Sequence, residues 1–261
     1  MTSGNSRTTT FTLGLSASRK EAGNKFALDA GAAYARSSIL VFQDTNGNGA
    51  IDRGELRRQD QTTANSWFTK ARYDRFLSEH NSAYLSALAS ADQPAGKDFV
   101  GGGQIGYSRQ LFKTDQHELV AELGYDLSYE SYLTPVDSSV TIHSARIFVG
   151  HTSKLTDATS AFANVEALLN LNSESTLNAD DDTGMTKTVD PLSDTRVNIK
   201  AGLTTTLWKN ISFSFGFTLK YDHNPAPLPA PKGAPAYAAG FQPFADTVDT
   251  ITEAALIVNF L

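Results

Sequence analysis

Between residues 195 and 223, apolar and polar side chains alternate with a period of two. Val197, Ile199, Ala201, Leu203, Thr205 and Leu207 alternate with Arg196, Asn198, Lys200, Gly202, Thr204 and Thr206. Beyond a tight turn at Lys209-Asn210, Ile211, Phe213, Phe215, Phe217, Leu219 and Tyr221 alternate with Ser212, Ser214, Gly216, Thr218, Lys220 and Asp222. Successive side chains of a strand point to opposite faces, so this pattern predicts a hairpin with one apolar face and one charged or small polar face. Whether the apolar face meets a protein core or lipid depends on the rest of the chain.

The same period recurs throughout. It predicts strands over about 9–19, 25–36, 62–76, 82–91, 98–111, 117–129, 140–155 and 160–172 before the hairpin, and 247–261 after it. The clearest is 117–129, where Leu119, Ala121, Leu123, Tyr125 and Leu127 alternate with Glu118, Val120, Glu122, Gly124 and Asp126. The 82–91 strand is weak, and the register of 140–155 is open, with Ala145, Ile147 and Val149 expected outside and Arg146 inside. Short turns follow the first, third, fifth, seventh and ninth strands. Longer connections follow the even ones, with an insertion over 39–61 and long loops over 173–194 and 224–245. Strands of about ten residues, joined by short turns on one side and long loops on the other, describe an antiparallel up-and-down transmembrane β-barrel. A β-sandwich has shorter strands and long connections at both ends. The chain is read as one such barrel over 1–261, with the long loops extracellular.

Composition changes this picture little. A net charge of -6 gives no basic footprint for nucleic acid, and the absence of cysteine leaves neither a disulfide framework nor a thiolate metal site. No long apolar run predicts a membrane-spanning helix. The mean hydropathy of -0.28 does not weigh against a barrel, whose apolar surface is hidden in alternation. Met1-Thr2-Ser3-Gly4-Asn5-Ser6-Arg7 is not a signal peptide, so export implies a signal already removed.

Four segments carry a resemblance. Ser3-Gly4-Asn5-Ser6-Arg7-Thr8-Thr9-Thr10, Tyr73-Asp74-Arg75-Phe76-Leu77, Tyr221-Asp222-His223-Asn224-Pro225 and the closing Val258-Asn259-Phe260-Leu261 resemble the YdiY-like, salt-stress-induced outer-membrane proteins. That resemblance implies a β-barrel of the Gram-negative outer membrane with no established biochemical activity. It also implies a strand before the Ser3-Gly4-Asn5 turn. Eleven strands are visible here, and bacterial single-chain barrels have even numbers. The expectation is a design of about twelve strands whose first is missing, the other reading being a miscount around the fourth and seventh.

Two constellations bear on chemistry. Residues 44–55 have the spacing of a twelve-residue calcium loop. Asp44, Asn46 and Asn48 fall at positions one, three and five, and Gly49 at the sharp turn. Ala50 would offer its carbonyl, Asp52 would act through water, and Glu55 would be bidentate. The alternative is a polar loop whose Asn and Gly residues only make turns. The expectation is a structural calcium ion stiffening an extracellular loop.

The second constellation is the inward charge pattern. Glu118, Glu122, Asp126 and Glu166 face Arg146, Lys70, Arg72, Arg196, Lys200 and Lys220. This is either an acidic and a basic wall acting on a small polar solute, or an interior filled by ion pairs. A narrow or occluded lumen is favoured, since twelve strands fall between filled and open barrels. Trp67, Trp208 and the tyrosines near strand ends read as interfacial girdle residues.

Catalytic signals are poor. His80, His117, His143, His151 and His223 are scattered, with no nucleophile elbow and no zinc spacing. The sequence thus predicts a non-enzymatic barrel of passive structural or narrow-pore role. Its partners would be outer-membrane lipid and the barrel-assembly machinery, reached through the C-terminal strand. The competing readings are a soluble barrel carrier of a small ligand and an outer-membrane hydrolase with a Ser-His pair across strands.

Overall fold

The computed structural model describes residues 7–42, 46–49, 56–134, 139–177, 186–230, 237–238 and 241–258. Eleven strands form one antiparallel meander: β1 (Arg7–Lys20), β2 (Asn24–Phe42), β3 (Leu56–Ser78), β4 (Asn81–Asp92), β5 (Lys97–Lys113), β6 (His117–Tyr132), β7 (Ser139–Lys154), β8 (Thr159–Asn170), β11 (Thr195–Trp208), β12 (Ile211–Asp222) and β13 (Val248–Val258). A separate hairpin, β9 (Glu174–Leu177) with β10 (Thr186–Val189), leaves the sheet between β8 and β11. The turns at one end are closed by their own backbone, as in Glu21 N–H to Asn24 O at 2.8 Å and Thr114 N–H to His117 O at 2.8 Å.

The burial pattern is inverted relative to a soluble domain. On β6, Leu123 is 62% exposed while Glu122 is 4% and Asp126 1% exposed. The sheet curls so that the polar face of β3–β8 and β11 lines an interior, and the apolar face is the outer surface. Aromatic residues mark both rims of that surface. Tyr73, Tyr107 and Trp208 are exposed toward the short turns, and Tyr34, Trp67, Phe99 and Tyr129 toward the long connections. The strand faces assigned from sequence hold, including Arg146 inward with Ile147 and Val149 outward on β7.

Two of the long connections differ from expectation. Ten of the fourteen described residues of the 39–61 insertion, 39–42 and 56–61, are ladder. β2 and β3 stay paired out to Phe42↔Leu56, past a bulge at Ala35/Arg36, and Asp60 receives Arg36 and Ser38 across the strands. The run Ile39-Leu40-Val41-Phe42 does not alternate, which hid it from a period-two reading, but its residues are strong strand formers. The 173–194 loop contains the β9–β10 hairpin, whose four-residue strands are too short to show a period. The 224–245 segment is largely non-strand as expected. It nevertheless closes on itself through a Pro227↔Phe244 bridge and a Leu228 N–H to Pro243 O bond of 2.8 Å.

The sheet has two edges, β1 and β13. Every side chain of β1 from Thr9 to Lys20 is exposed on both faces, and on β13 only Ile251 escapes full exposure. Both edges run from the long-connection end to the short-turn end, so they are parallel to each other. A single strand running the other way would be antiparallel to both. A second copy in the same membrane orientation would meet either edge only in parallel.

Candidate functional site

The interior is organised as a ladder of polar groups, set where inward positions of neighbouring strands coincide. At its centre Glu122 on β6 is held by two arginines. Arg72 on β3 reaches it with both terminal nitrogens, at 3.0 and 2.7 Å, and Arg146 on β7 at 2.7 Å. Arg72 also forks onto Asp74 at 2.7 Å, and the Arg146 Nε donates to Glu166 at 2.6 Å. Asn198 on β11 adds a 3.2 Å bond to Glu166.

The Tyr84 ring fills the space beside these charges. The Arg72 guanidinium lies 4.2 Å and that of Arg146 5.5 Å from its centroid, and Arg146 donates to its hydroxyl at 2.9 Å. Cations over an aromatic face gain from its quadrupole, the more so when desolvated. The ring fits because Gly106 and Gly124 face each other across β5 and β6. A Cβ at Gly106 would lie 2.6 Å from the Tyr84 hydroxyl, and one at Gly124 would collide with it.

One step toward the long connections, Asp126 accepts from Gln104 at 2.8 Å and from Ser128 at 2.7 Å. At the mouth, Glu130 binds Lys97 at 2.8 Å and Arg196 at 3.0 Å, and Lys97 reaches Asp222 on β12 at 3.5 Å. This last contact spans from β5 to β12 and shows how far the sheet curls. Above it, Tyr132, Val140, Ile142 and Ala226 form an apolar cap. Pro227 is wholly buried, and its carbonyl leaves no room for a Cβ on Gly96. Gly96 also has φ of 76°, so this position favours glycine on both counts.

Of the charges singled out from sequence, Glu122, Asp126, Glu166, Arg72, Arg146 and Arg196 converge in this ladder. Lys70 is half-buried beside Arg72, in the field of Glu166 and Glu122. Glu118 sits toward the short turns and accepts from Gln110. Lys200 and Lys220 are on the inner face of β11 and β12 but exposed, because no wall stands opposite them. Sequence reasoning missed Glu130, Lys97, Tyr84 and Gln104. Glu130 had a signal, since it continues the four-residue spacing of Glu118, Glu122 and Asp126 on one face of β6. Nothing local marks Tyr84 as part of a charge network.

In the calcium-type loop, Asp44, Ala50, Asp52 and Glu55 lie outside the described residues. Within it, Gly47 and Gly49 have φ of 71° and 77°, and the Asn48 N–H donates to the Asn46 side chain at 2.9 Å. Among the described residues no group of three His, Asp or Glu is arranged to hold a metal. Several histidines pair with other rings. His143 bonds Tyr125, His223 lies 3.0 Å from the Tyr221 hydroxyl, and His117 stacks on His151 at 5.6 Å.

Residues 1–189 match the family described as "Protein of unknown function, DUF481". The chain belongs to that family. Its description names no activity. No curated protein matches the chain. Among solved structures the fold is similar to OmpT (in-vitro folded), an outer membrane protein of Vibrio cholerae. The identity is 9%, with 97% of this chain and 95% of that chain covered, at a TM-score of 0.39. A likeness of that degree carries no weight for the activity of this family member.

Proposed function

We propose that this DUF481 protein is a β-barrel of the outer membrane with a narrow or occluded lumen, of passive structural or narrow-pore role. The observation that carries this reading is the bar of Arg72, Glu122, Tyr84 and Arg146 across the lumen, with Arg146 only 3% exposed. The outer face supports the membrane setting. Its apolar band lies between two aromatic rims on strands of 12 to 17 residues from β4 to β8, longer than the roughly 9–11 a tilted strand needs to cross a bilayer. A soluble carrier would turn its apolar face inward, and here the inner face is charged. The partner on the outer face is lipid, and β13 is the strand offered to the assembly machinery.

Planar bilayer recording of the refolded protein tests this. The expected result is no resolvable conductance, and open-pore steps would overturn it. Residues 44–55 are proposed to bind one calcium ion, supported by ligand spacing and by the left-handed Gly47 and Gly49. Calorimetry should register binding with a Kd of about 0.1–1 mM, as isolated extracellular loops do. Absence of heat at millimolar calcium removes that part.

A further inference from the structure

The same three side chains recur at two places on the short-turn rim. On β3, Tyr73 and Arg75 are two residues apart on the outer face, and the register sets Arg75 opposite Asn24, the first residue of β2. On β5, Tyr107 and Arg109 repeat that spacing, and Arg109 stands opposite Asn81, the first residue of β4. In each unit the asparagine side-chain oxygen accepts from the tyrosine hydroxyl, from Tyr73 to Asn24 at 2.6 Å and likewise from Tyr107 to Asn81. Arg75 donates to the same Asn24 oxygen at 2.9 Å. Its guanidinium lies on the turn, where a Cβ at Gly23 would be 3.2 Å from it.

Neither arginine is neutralised. Among the described residues Arg75 makes no side-chain bond besides that to Asn24, and Arg109 makes none. The acids of this rim are engaged elsewhere or stand apart. Glu21 is bound by Arg19 at 2.8 Å and Asp157 by Lys154 at 2.9 Å, and Glu118 accepts from Gln110. Glu79 and Asp115 are exposed in the turns, with no ion pair among the described residues.

The outer face of both strands follows the profile of one bilayer leaflet. Toward the short turns β3 presents Ala71, Tyr73 and Arg75, and β5 presents Ile105, Tyr107 and Arg109. Two residues of strand advance about 6.6 Å. Each guanidinium therefore stands one pleat repeat beyond a ring suited to the membrane boundary, at the level of the lipid phosphates. A planar guanidinium takes a phosphate through two parallel hydrogen bonds. Two uncompensated positive charges favour a headgroup that carries no ammonium of its own.

We propose that the two Asn–Tyr–Arg units are a binding site for anionic phospholipid in the leaflet at the short-turn end, with Arg75 and Arg109 each holding a phosphodiester and Tyr73 and Tyr107 packing beside the glycerol region. This rests on the membrane-spanning reading above and adds to it a headgroup chemistry and a leaflet. Ala83 on β4 lies between the units, paired with Arg75 on one side and Tyr107 on the other, and is exposed.

The chain has no cysteine, so Ala83→Cys can carry a single fluorophore. The refolded full chain is placed in phosphatidylcholine vesicles containing chain-brominated phosphatidylglycerol or chain-brominated phosphatidylcholine, and quenching by the two is compared. The expected result is a preference for phosphatidylglycerol of at least about fivefold. Arg75→Gln with Arg109→Gln should bring the ratio to about one. Either change alone should lower it, and serves if the double variant fails to refold. The same fluorophore at Ala89→Cys, nearer the long connections on β4, should show no preference. Equal quenching by both lipids in the parent, a preference kept in the refolded variants, or an equal preference at Ala89 overturns the site and leaves the lipid-facing surface standing. No quenching by either lipid would put Ala83 in water, overturning the site and the membrane reading together.

Discussion

β6 and β1 have similar alternation in sequence and opposite fates in the structure. On β6 the polar positions Glu122, Asp126 and Glu130 are buried and ion-paired or hydrogen-bonded. On β1 the polar positions Thr12, Gly14, Ser16 and Ser18 are exposed, and so are Phe11, Leu13 and Leu15 on the other face. Alternation therefore divides a strand into two faces but does not bury either. The polar face of β6 is buried because β3, β7 and β11 curl around to present Arg72, Arg146 and Arg196 to it. β1 has no such wall, because the sheet ends there. The same contrast separates Arg196 from Lys200 on one strand. Arg196 lies under the mouth and meets Glu130, whereas Lys200, four residues on, faces open space.

The largest expected effect comes from the walled side. Glu122→Gln leaves the buried Arg146 and the half-buried Arg72 without their shared counter-ion and should cost about 3–5 kcal/mol, read as urea unfolding of the refolded protein in lipid. A loss below 1 kcal/mol would mean the interior is wetter than the network implies and would break the contrast with β1. On the outer face, Leu123→Arg should cost about 2–4 kcal/mol in bilayers if it sits at mid-depth. The same substitution at a site exposed to water would be near neutral, so this variant separates a lipid-facing surface from a soluble one. The smallest effect belongs to the open side. Lys200→Gln should stay within about 0.5 kcal/mol of the parent in the same assay, since it breaks no pair. A larger loss would reveal that something closes over β11 and β12 in the membrane.

Much of the fold was legible because a barrel strand carries its own two-faced pattern. Eleven strands in the main sheet, their faces, and the alternation of short turns with long connections could all be read from residue spacing. The failures have local causes. Ile39-Leu40-Val41-Phe42 forms strand without alternating, since its neighbours on β3 supply the pairing. The β9–β10 strands are too short for a period. Glu130 escaped because the alternation reads as ending at Tyr129, three residues before β6 does, although its spacing from Asp126 marked it.

What the sequence by itself determined is which side of each strand is polar, and hence that this is a sheet turned inside out, because side-chain direction in a strand is set by backbone geometry alone. Which polar groups meet was decided only by the curl of the sheet. It brings Arg72 to Glu122 across 50 residues of chain and Lys97 to Asp222 between β5 and β12. It also buries Glu174 and Asp194 at the foot of a hairpin that the sequence does not announce. Partners across a lumen depend on strand tilt and curvature, which are summed over the whole sheet and written in no single segment.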